Sequence, residues 1–397
     1  MVKPPFNCWK LGICIRDRVI SPIHQKRKPP GRDTKNRRAC KIRSFFCSIL
    51  EGISTRLRLK YNSTNYSEIV EVERLRIAVV GATGEVGRMM VKVLEEYGIE
   101  PSELRLYASR RSAGTKLIFQ DREITVSELT EEAMKDGFDY ALFSAGADVS
   151  KHFAPIAASH GTIVIDNSSA FRLVEGIPLV VPEINGYLVD DYRGIIANPN
   201  CSTIQMVLSL YTVHREFEIR RIVVSTYQAV SGAGRKAIDE LQKQMEGSDE
   251  HSIFPQKIHL NVIPQIGSFD ETGFSTEELK MINETRKILN DPSIDVVPTT
   301  VRVPVLYGHS EAVYVETKKP FESYQQLRET IERAEDVKIV DDFVTPLEVA
   351  GSDIVYVSRI RVLDENRFVF WNVADNIRVG AATNAVRILK RSLGGAT

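Results

Sequence analysis

The stretch from Ile77 to Leu94 restricts the fold of this chain more than any other. Ile77-Ala78-Val79-Val80 is a continuous apolar run of the kind that a strand covered on both faces requires. It ends in Gly81-Ala82-Thr83-Gly84-Glu85-Val86-Gly87, and apolar residues then return at helical spacing as Met90, Val91, Val93 and Leu94. Strand, glycine turn and helix in that order form the phosphate-binding start of a dinucleotide-binding fold. One glycine permits the turn, a second lets backbone approach a pyrophosphate, and a third lets the helix pack on the strand. Gly81, Thr83, Gly84, Glu85, Val86 and Gly87 are therefore candidate cofactor contacts. Glycines also mark plain tight turns, so the flanking strand and helix carry the reading as much as the G-x-x-G-x-x-G spacing does.

The next apolar segment, Leu104 to Ala108, is expected to end beside the adenosine ribose. An NAD-binding chain usually places an acidic residue there to hold the 2′-hydroxyl. This sequence has Ser109-Arg110-Arg111-Ser112 instead, two guanidinium groups and two hydroxyls suited to a 2′-phosphate, which favours NADP(H). Further strands are expected over 138–143, ending in Ser144-Ala145-Gly146, and over 162–166, ending in Asn167-Ser168-Ser169, with a helix over 149–160 between them. Small and polar residues thus collect at the C-terminal strand ends, where α/β sheets bind ligands.

Cys201 follows Asn198-Pro199-Asn200, at the point where an apolar strand gives way to a helical pattern through Ile204, Val207, Leu208 and Tyr211. A thiol at a helix start is expected to ionise more readily than usual and to act as a nucleophile, with helix N–H groups as oxyanion donors. The plain alternative is a small buried apolar residue. Beyond it, strands are expected over 221–227, 301–305, 312–317, 354–362 and 367–372, and helices over 236–245 and 275–289. Strand following strand implies a second domain with a mixed sheet. The segment Ala374 to Ala382 leads into a closing helix expected to return to the first domain.

Residues 1 to 74 read differently. They hold 17 Lys+Arg against 6 Asp+Glu, which leaves 35 against 46 for the rest of a chain with 52 of each. Pro4-Pro5, Pro29-Pro30 and clusters such as Lys26-Arg27-Lys28 come without sustained periodicity, so no folded domain is expected. Cys8, Cys14, Cys40 and Cys47 lack metal-ligand spacing, and no metal is expected anywhere in the chain. No Met occurs between Met1 and Met89. A natural start near Val70 to Leu75 accounts for that and for the abrupt onset of pattern; a transit peptide or a nucleic-acid arm are the alternatives. No run of about 18 apolar residues occurs, so no membrane span is expected.

Six separated motifs resemble aspartate-β-semialdehyde dehydrogenases, in order, over residues 75 to 392. They are Gly81 to Gly87, Ser168-Ser169-Ala170-Phe171-Arg172, Asn198 to Thr203, Ser225 to Gly234, Arg302-Val303-Pro304 and Gly308-His309-Ser310. The resemblance implies an α/β protein: a Rossmann-type NADP-binding domain, 75–200 completed by 377–397, plus an α+β catalytic and dimerisation domain with a mixed sheet, 201–376. It implies NADPH-dependent reduction of L-aspartyl-4-phosphate to the semialdehyde, on the route to lysine, threonine and methionine. Cys201 matches the nucleophile, His309 the general acid/base and Gln228 the amide that positions the acyl group. Arg302 matches the clamp on the α-carboxylate, Glu277 the partner of the α-ammonium, and Arg172 with Lys280 the phosphate-binding pair, with Asn200 beside the substrate. Ser231, Gly232 and Asn376 join Ser144, Ala145, Gly146 and the residues above as cofactor contacts. A cytoplasmic homodimer or tetramer follows, with a small-molecule substrate and no membrane or nucleic-acid partner. The rivals are an N-acetyl-γ-glutamyl-phosphate reductase, against which Glu277 argues, and a non-catalytic NADP-binding regulator.

Overall fold

The computed structural model describes residues 56–61, 68–73 and 75–394. The chain divides into two compact units, one of residues up to Leu75 with Glu100–Glu103, the other of Arg76–Ile99 with Leu104–Thr397. In the first, strands Arg56–Tyr61 and Glu68–Glu73 pair antiparallel, with Leu57 opposite Val72 and Leu59 opposite Val70. The sequence reading named no element here, because the alternation spans only a few residues and is interleaved with basic ones. The leader cysteines and basic clusters before residue 56 lie outside the described residues.

In the second unit, Ile77, Ala78, Val79 and Val80 are wholly buried, as a run without polar positions must be. Their strand, Arg76–Val80, lies inside a six-stranded parallel sheet ordered Ile195–Ala197, Ile163–Asp166, Tyr140–Phe143, Arg76–Val80, Glu103–Ala108, Ser127–Glu128. The chain fills this sheet from Arg76–Val80 first to one side and then to the other. The order reverses between Arg76–Val80 and Tyr140–Phe143, which opens a crevice at their C-terminal ends. Helix Glu85–Glu96 covers the sheet through Met90, Val91, Val93 and Leu94, each contributing about 1.5–3 kcal/mol by burial.

The second sheet is mixed, ordered Asp295–Arg302, Ile219–Gln228, His309–Thr317, Arg367–Ala374, Val355–Asp364, Val337–Val340. The strand expected over 301–305 lies earlier in the chain. After Arg302 the Val305 N–H turns back onto the Val303 carbonyl at 2.8 Å, and Pro304 has no N–H to extend a ladder. Ile222, Val224, Val313, Val315, Phe368 and Phe370 bury one face of this sheet against Met206, Leu210, Val213 and Phe217 of helix Cys201–Phe217. Ile204, Val207 and Leu208 of the same helix join a second cluster with Leu179, Ala197 and Val379. One helix therefore packs into both layers, and its first residue is the thiol. The other face of the mixed sheet leaves Val223, Tyr227 and Val297 exposed.

Beneath that helix lies an unusual acid. Glu311, cross-strand from Asn372, is wholly buried, and among the described residues neither carboxylate oxygen makes a hydrogen bond. The Gln205 and Asn372 amides face it but bond to each other at 2.9 Å. Burial pushes the Glu311 carboxyl up to about 8, against a smaller pull from those amides. Between the unfolded value near 4.3 and about 8 the folded chain binds more protons, so this group lowers stability as pH rises through that window. Glu311→Gln is expected to raise the thermal midpoint relative to the wild type more at pH 9 than at pH 6. Equal shifts at both values would mean that the acid is ionised throughout.

Candidate active site

The turn before Cys201 is built by hydrogen bonds that the sequence itself specifies. Asn200, with φ −65° and ψ 144°, caps the helix by accepting from the N–H groups of Ser202 and Thr203 at 3.1 and 3.2 Å. The Asn200 N–H donates to Glu284 Oε2 at 2.6 Å. Of the N–H groups from Asn200 to Thr203, only that of Cys201 makes no hydrogen bond among the described residues. The helix start therefore offers the reaction one free backbone donor, fewer than expected from the sequence.

Glu277 is the hub beside the thiol. Its Oε1 accepts from Asn200 Nδ2 at 2.7 Å and Gln228 Nε2 at 3.2 Å, and its Oε2 from Lys280 Nζ at 2.9 Å. Burial alone would raise this carboxyl, but Lys280 and the two amides outweigh burial and hold it at about 2. Arg302 is buried, donates to the Ala229 carbonyl at 2.6 Å, and lies 5.8 Å from the Phe254 ring. Were Gly232 to carry a Cβ, it would sit 3.0 Å from Arg302 Nη1 and 3.3 Å from both Cε1 and Nε2 of His309, so the glycine keeps space open before both side chains. Asn200, Gln228, Glu277 and Lys280 thus form one hydrogen-bonded cluster, and Gly232 brings Arg302 and His309 together.

The electrostatics correct one expectation. Cys201 is partly accessible, yet burial pushes its thiol up to about 12 and Glu277 adds to this; Arg302, Arg172 and the Ser202 N–H only partly offset them. Desolvation outweighs the first-turn N–H and both arginines and favours the neutral thiol. His309 moves the other way. Burial first, and then the Arg302 charge, push the imidazole down to about 3 against the pull of Glu277, so it is neutral at physiological pH.

Arg172 is more committed than its expected phosphate-binding role requires. Its Nε, Nη1 and Nη2 donate to the Asn198 carbonyl, Glu284 Oε1 and the Asn167 carbonyl at 2.9, 3.0 and 2.9 Å. Asn376 is buried; its Oδ1 accepts from the Gly308 N–H at 2.9 Å, and its amide bonds Ser231. It thereby braces the turn that carries His309.

The cofactor candidates gather at the crevice of the parallel sheet. Gly81 has φ +81°, and a Cβ there would lie 2.8 Å from the Ser144 carbonyl carbon; one on Gly87 would lie 2.1 Å from the Gly81 oxygen. Gly84 caps helix Glu85–Glu96 without a side-chain hydrogen bond, which leaves its first N–H groups for an anion. Thr83 lies in the same turn, Val86 in the first turn of that helix, and Ser144, Ala145 and Gly146 directly after strand Tyr140–Phe143. The Glu85 carboxylate is turned toward Tyr307 and Arg235, at 3.3 and 3.5 Å. Ser109, Arg110 and Arg111 are exposed, Ser112 half-buried, at the end of strand Glu103–Ala108, and neither arginine makes an ion pair among the described residues.

Two residues escaped the sequence reading. Glu284 ties Arg172 to the Asn200 backbone, and its spacing from Glu277 and Lys280, seven and four positions along one helix, was the available signal. Gly380 lies in a π-helical turn, Arg378–Ala382, where a Cβ would be 2.6 Å from Cys201 Cβ and 3.0 Å from its Cα. Gly380→Ala must displace the nucleophile or the turn, so turnover is expected to fall by up to about 10²-fold, with about 1–3 kcal/mol of lost stability. Wild-type turnover and thermal midpoint in this variant would show that the turn yields without moving Cys201.

Residues 76–192 match the family described as semialdehyde dehydrogenase, NAD binding domain, and residues 210–379 match semialdehyde dehydrogenase, dimerisation domain. The aspartate-semialdehyde dehydrogenase of Aquifex aeolicus is 50% identical over 328 residues, 79% of this chain and 96% of that protein. The Bacillus subtilis enzyme of the same name is 45% identical over 333 residues, again 79% and 96%. The crystal structure of aspartate semialdehyde dehydrogenase II complexed with ASA from Vibrio cholerae superposes with a TM-score of 0.78 at 44% identity, covering 82% of this chain and 100% of that one.

Proposed function

The chain belongs to the aspartate-semialdehyde dehydrogenase family, and from that premise we propose that it converts L-aspartyl-4-phosphate to L-aspartate 4-semialdehyde with NADPH, through a thioester on Cys201. The observation that carries this reading is the Glu277 hub, where one carboxylate joins Gln228 and Lys280 to Asn200, the residue that precedes the thiol. Cys201 attacks the acyl carbon, and its own N–H faces the oxygen that becomes charged. Arg302 grips the α-carboxylate, Glu277 receives the α-ammonium, and Lys280 reaches the phosphate. Arg172, held by three internal acceptors, stiffens the phosphate side. His309 holds a proton at the edge of its ring beside Arg302. The cofactor, when its pyrophosphate is held at the Gly81 to Gly87 turn, would supply the hydride from its nicotinamide.

The test is an assay of the reverse reaction with aspartate semialdehyde, phosphate and NADP⁺, set against N-acetylglutamate semialdehyde. Reduction of NADP⁺ only with the N-acetylated substrate would reassign the enzyme. For the cofactor, the exposed Arg110-Arg111 pair favours a 2′-phosphate. Arg111→Ala is expected to raise the KM for NADPH about ten-fold or more while leaving that for NADH nearly unchanged; equal rises would remove the phosphate argument. The exposed face bearing Val223, Tyr227 and Val297 falls within the matched dimerisation domain and favours a homodimer.

A further inference from the structure

We propose that Phe254 is a positioning residue for the carboxylate clamp: its ring backs the Arg302 guanidinium and holds the planar fork ready for the substrate. The inference rests on the role given to Arg302 above and names what holds that arginine in place of an acid.

Arg302 is a buried cation with few restraints. Of its guanidinium N–H groups, only one at Nη1 makes a hydrogen bond among the described residues, to the Ala229 carbonyl. Glu277 acts on it through charge alone, since that carboxylate is taken up by Asn200, Gln228 and Lys280. The contrast with Arg172 is direct. Glu284 and two carbonyls spend the N–H groups of Arg172 inside the protein. An acid placed on Arg302 in the same way would consume the donors that a substrate carboxylate needs. A long side chain with one tether, however, keeps rotamer freedom that binding would have to remove.

Phe254 supplies the second restraint without using a donor. The guanidinium carbon lies over its ring, 5.8 Å from the centroid, and both side chains are buried. That separation is within cation–π reach, and the attraction grows when both groups are out of water. Stacking engages the face of the fork and leaves its edge for bidentate hydrogen bonds.

The segment that carries Phe254 is anchored on either side of the ring. Glu240 and Gln244 are one turn apart on helix Arg235–Met245. Glu240 Oε2 accepts from the Ser252 and Ile253 N–H groups at 2.7 and 2.9 Å, and Gln244 Oε1 from those of Ile258 and His259 at 3.1 and 3.0 Å. Further along, Ile263 exchanges both backbone hydrogen bonds with Arg302, at 2.9 and 2.8 Å. One stretch of chain, 252–263, thus fixes the backbone of the arginine and backs its side chain. Phe254 also packs with Val230, Ile238 and Leu241. That contact asks only for an apolar residue, which leucine satisfies, so the two roles separate by experiment.

The full-length enzyme is assayed in the direction of aspartate semialdehyde, phosphate and NADP⁺. Phe254→Leu is expected to raise the KM for the semialdehyde about ten-fold, with a smaller change in kcat and KM values for phosphate and NADP⁺ within about two-fold. Phe254→Tyr, which keeps the ring face, is expected to restore most of the loss. In an Arg302→Lys background, Phe254→Leu is expected to add little, because the fork it supports is already gone. An unchanged semialdehyde KM, equal rises in all three KM values, or a full ten-fold rise on top of Arg302→Lys would each reduce Phe254 to packing and overturn the proposal. Should Phe254→Leu fail to fold, Phe254→Met carries the same expectations. Crystals of the substrate-free enzyme give a readout that does not need turnover. The Arg302 guanidinium is expected to be displaced or disordered in Phe254→Leu, and an unmoved, ordered guanidinium would overturn the proposal even if the wild type proved to act on another substrate. Wild-type turnover with a raised KM in Arg302→Lys but not in Phe254→Leu would defeat this inference and leave the proposed activity standing.

Discussion

Cys201→Ala folds, binds the cofactor and loses turnover by on the order of 10⁴-fold or more, as removal of a covalent nucleophile does. The loss is chemical, because alanine keeps the Cβ that packs against Gly380 and leaves the Asn200 cap in place. Cys201→Ser keeps nearly the same shape and is expected to lose most of the activity too. Its hydroxyl is a weaker nucleophile than a thiol, and the burial that pushes the thiol up to about 12 disfavours an alkoxide as well. Intact-mass analysis after mixing with the acyl phosphate, without cofactor, is expected to show an added aspartyl group on the wild type and none on Cys201→Ala. Turnover near the wild-type rate in Cys201→Ala would remove the thioester route.

What was legible in the sequence was whatever the chain specifies locally. The glycine turn after Val80 has its meaning in the strand and helix on either side, and Asn200-Cys201-Ser202 carries its own cap. Glu277, Lys280 and Arg302 became legible only through the family resemblance, because a helix pair of opposite charge and an arginine in a strand look ordinary alone. The hydrogen bonds that place Glu277 reach up to 77 positions along the chain, and the one that places Arg302 reaches 73. The direction of the Cys201 shift was misread for the same reason. A helix start is a local property, whereas desolvation is set by everything packed around it. The π turn at Arg378–Ala382 was invisible because the feature that makes Gly380 matter, its close approach to Cys201, joins segments far apart in the chain. Glu284 left a signal, a second acid on the helix face of Glu277, that only a partner 84 positions away makes meaningful.

His309→Asn is expected to lower kcat by about 10²- to 10⁴-fold, the loss that follows removal of a positioned general acid/base, with a much smaller change in KM because Arg302 and Glu277 still hold the substrate. The pH dependence follows from the same ring. Folded His309 sits at about 3 while an unfolded histidine sits near 6.5. Between these values the unfolded chain binds more protons, so this residue makes stability fall as pH drops through about 6.5 toward 3. His309→Asn removes that slope, and its thermal midpoint is expected to decline less than that of the wild type between pH 6.5 and 4. Above pH 6.5 the ring is neutral in both states and contributes no slope. Steady-state rates from pH 6 to 9 and thermal midpoints from pH 4 to 8 check both parts. Near-normal turnover in the variant would take His309 out of the chemistry, and an unchanged midpoint slope would mean that the ring titrates in the folded protein as it does in water.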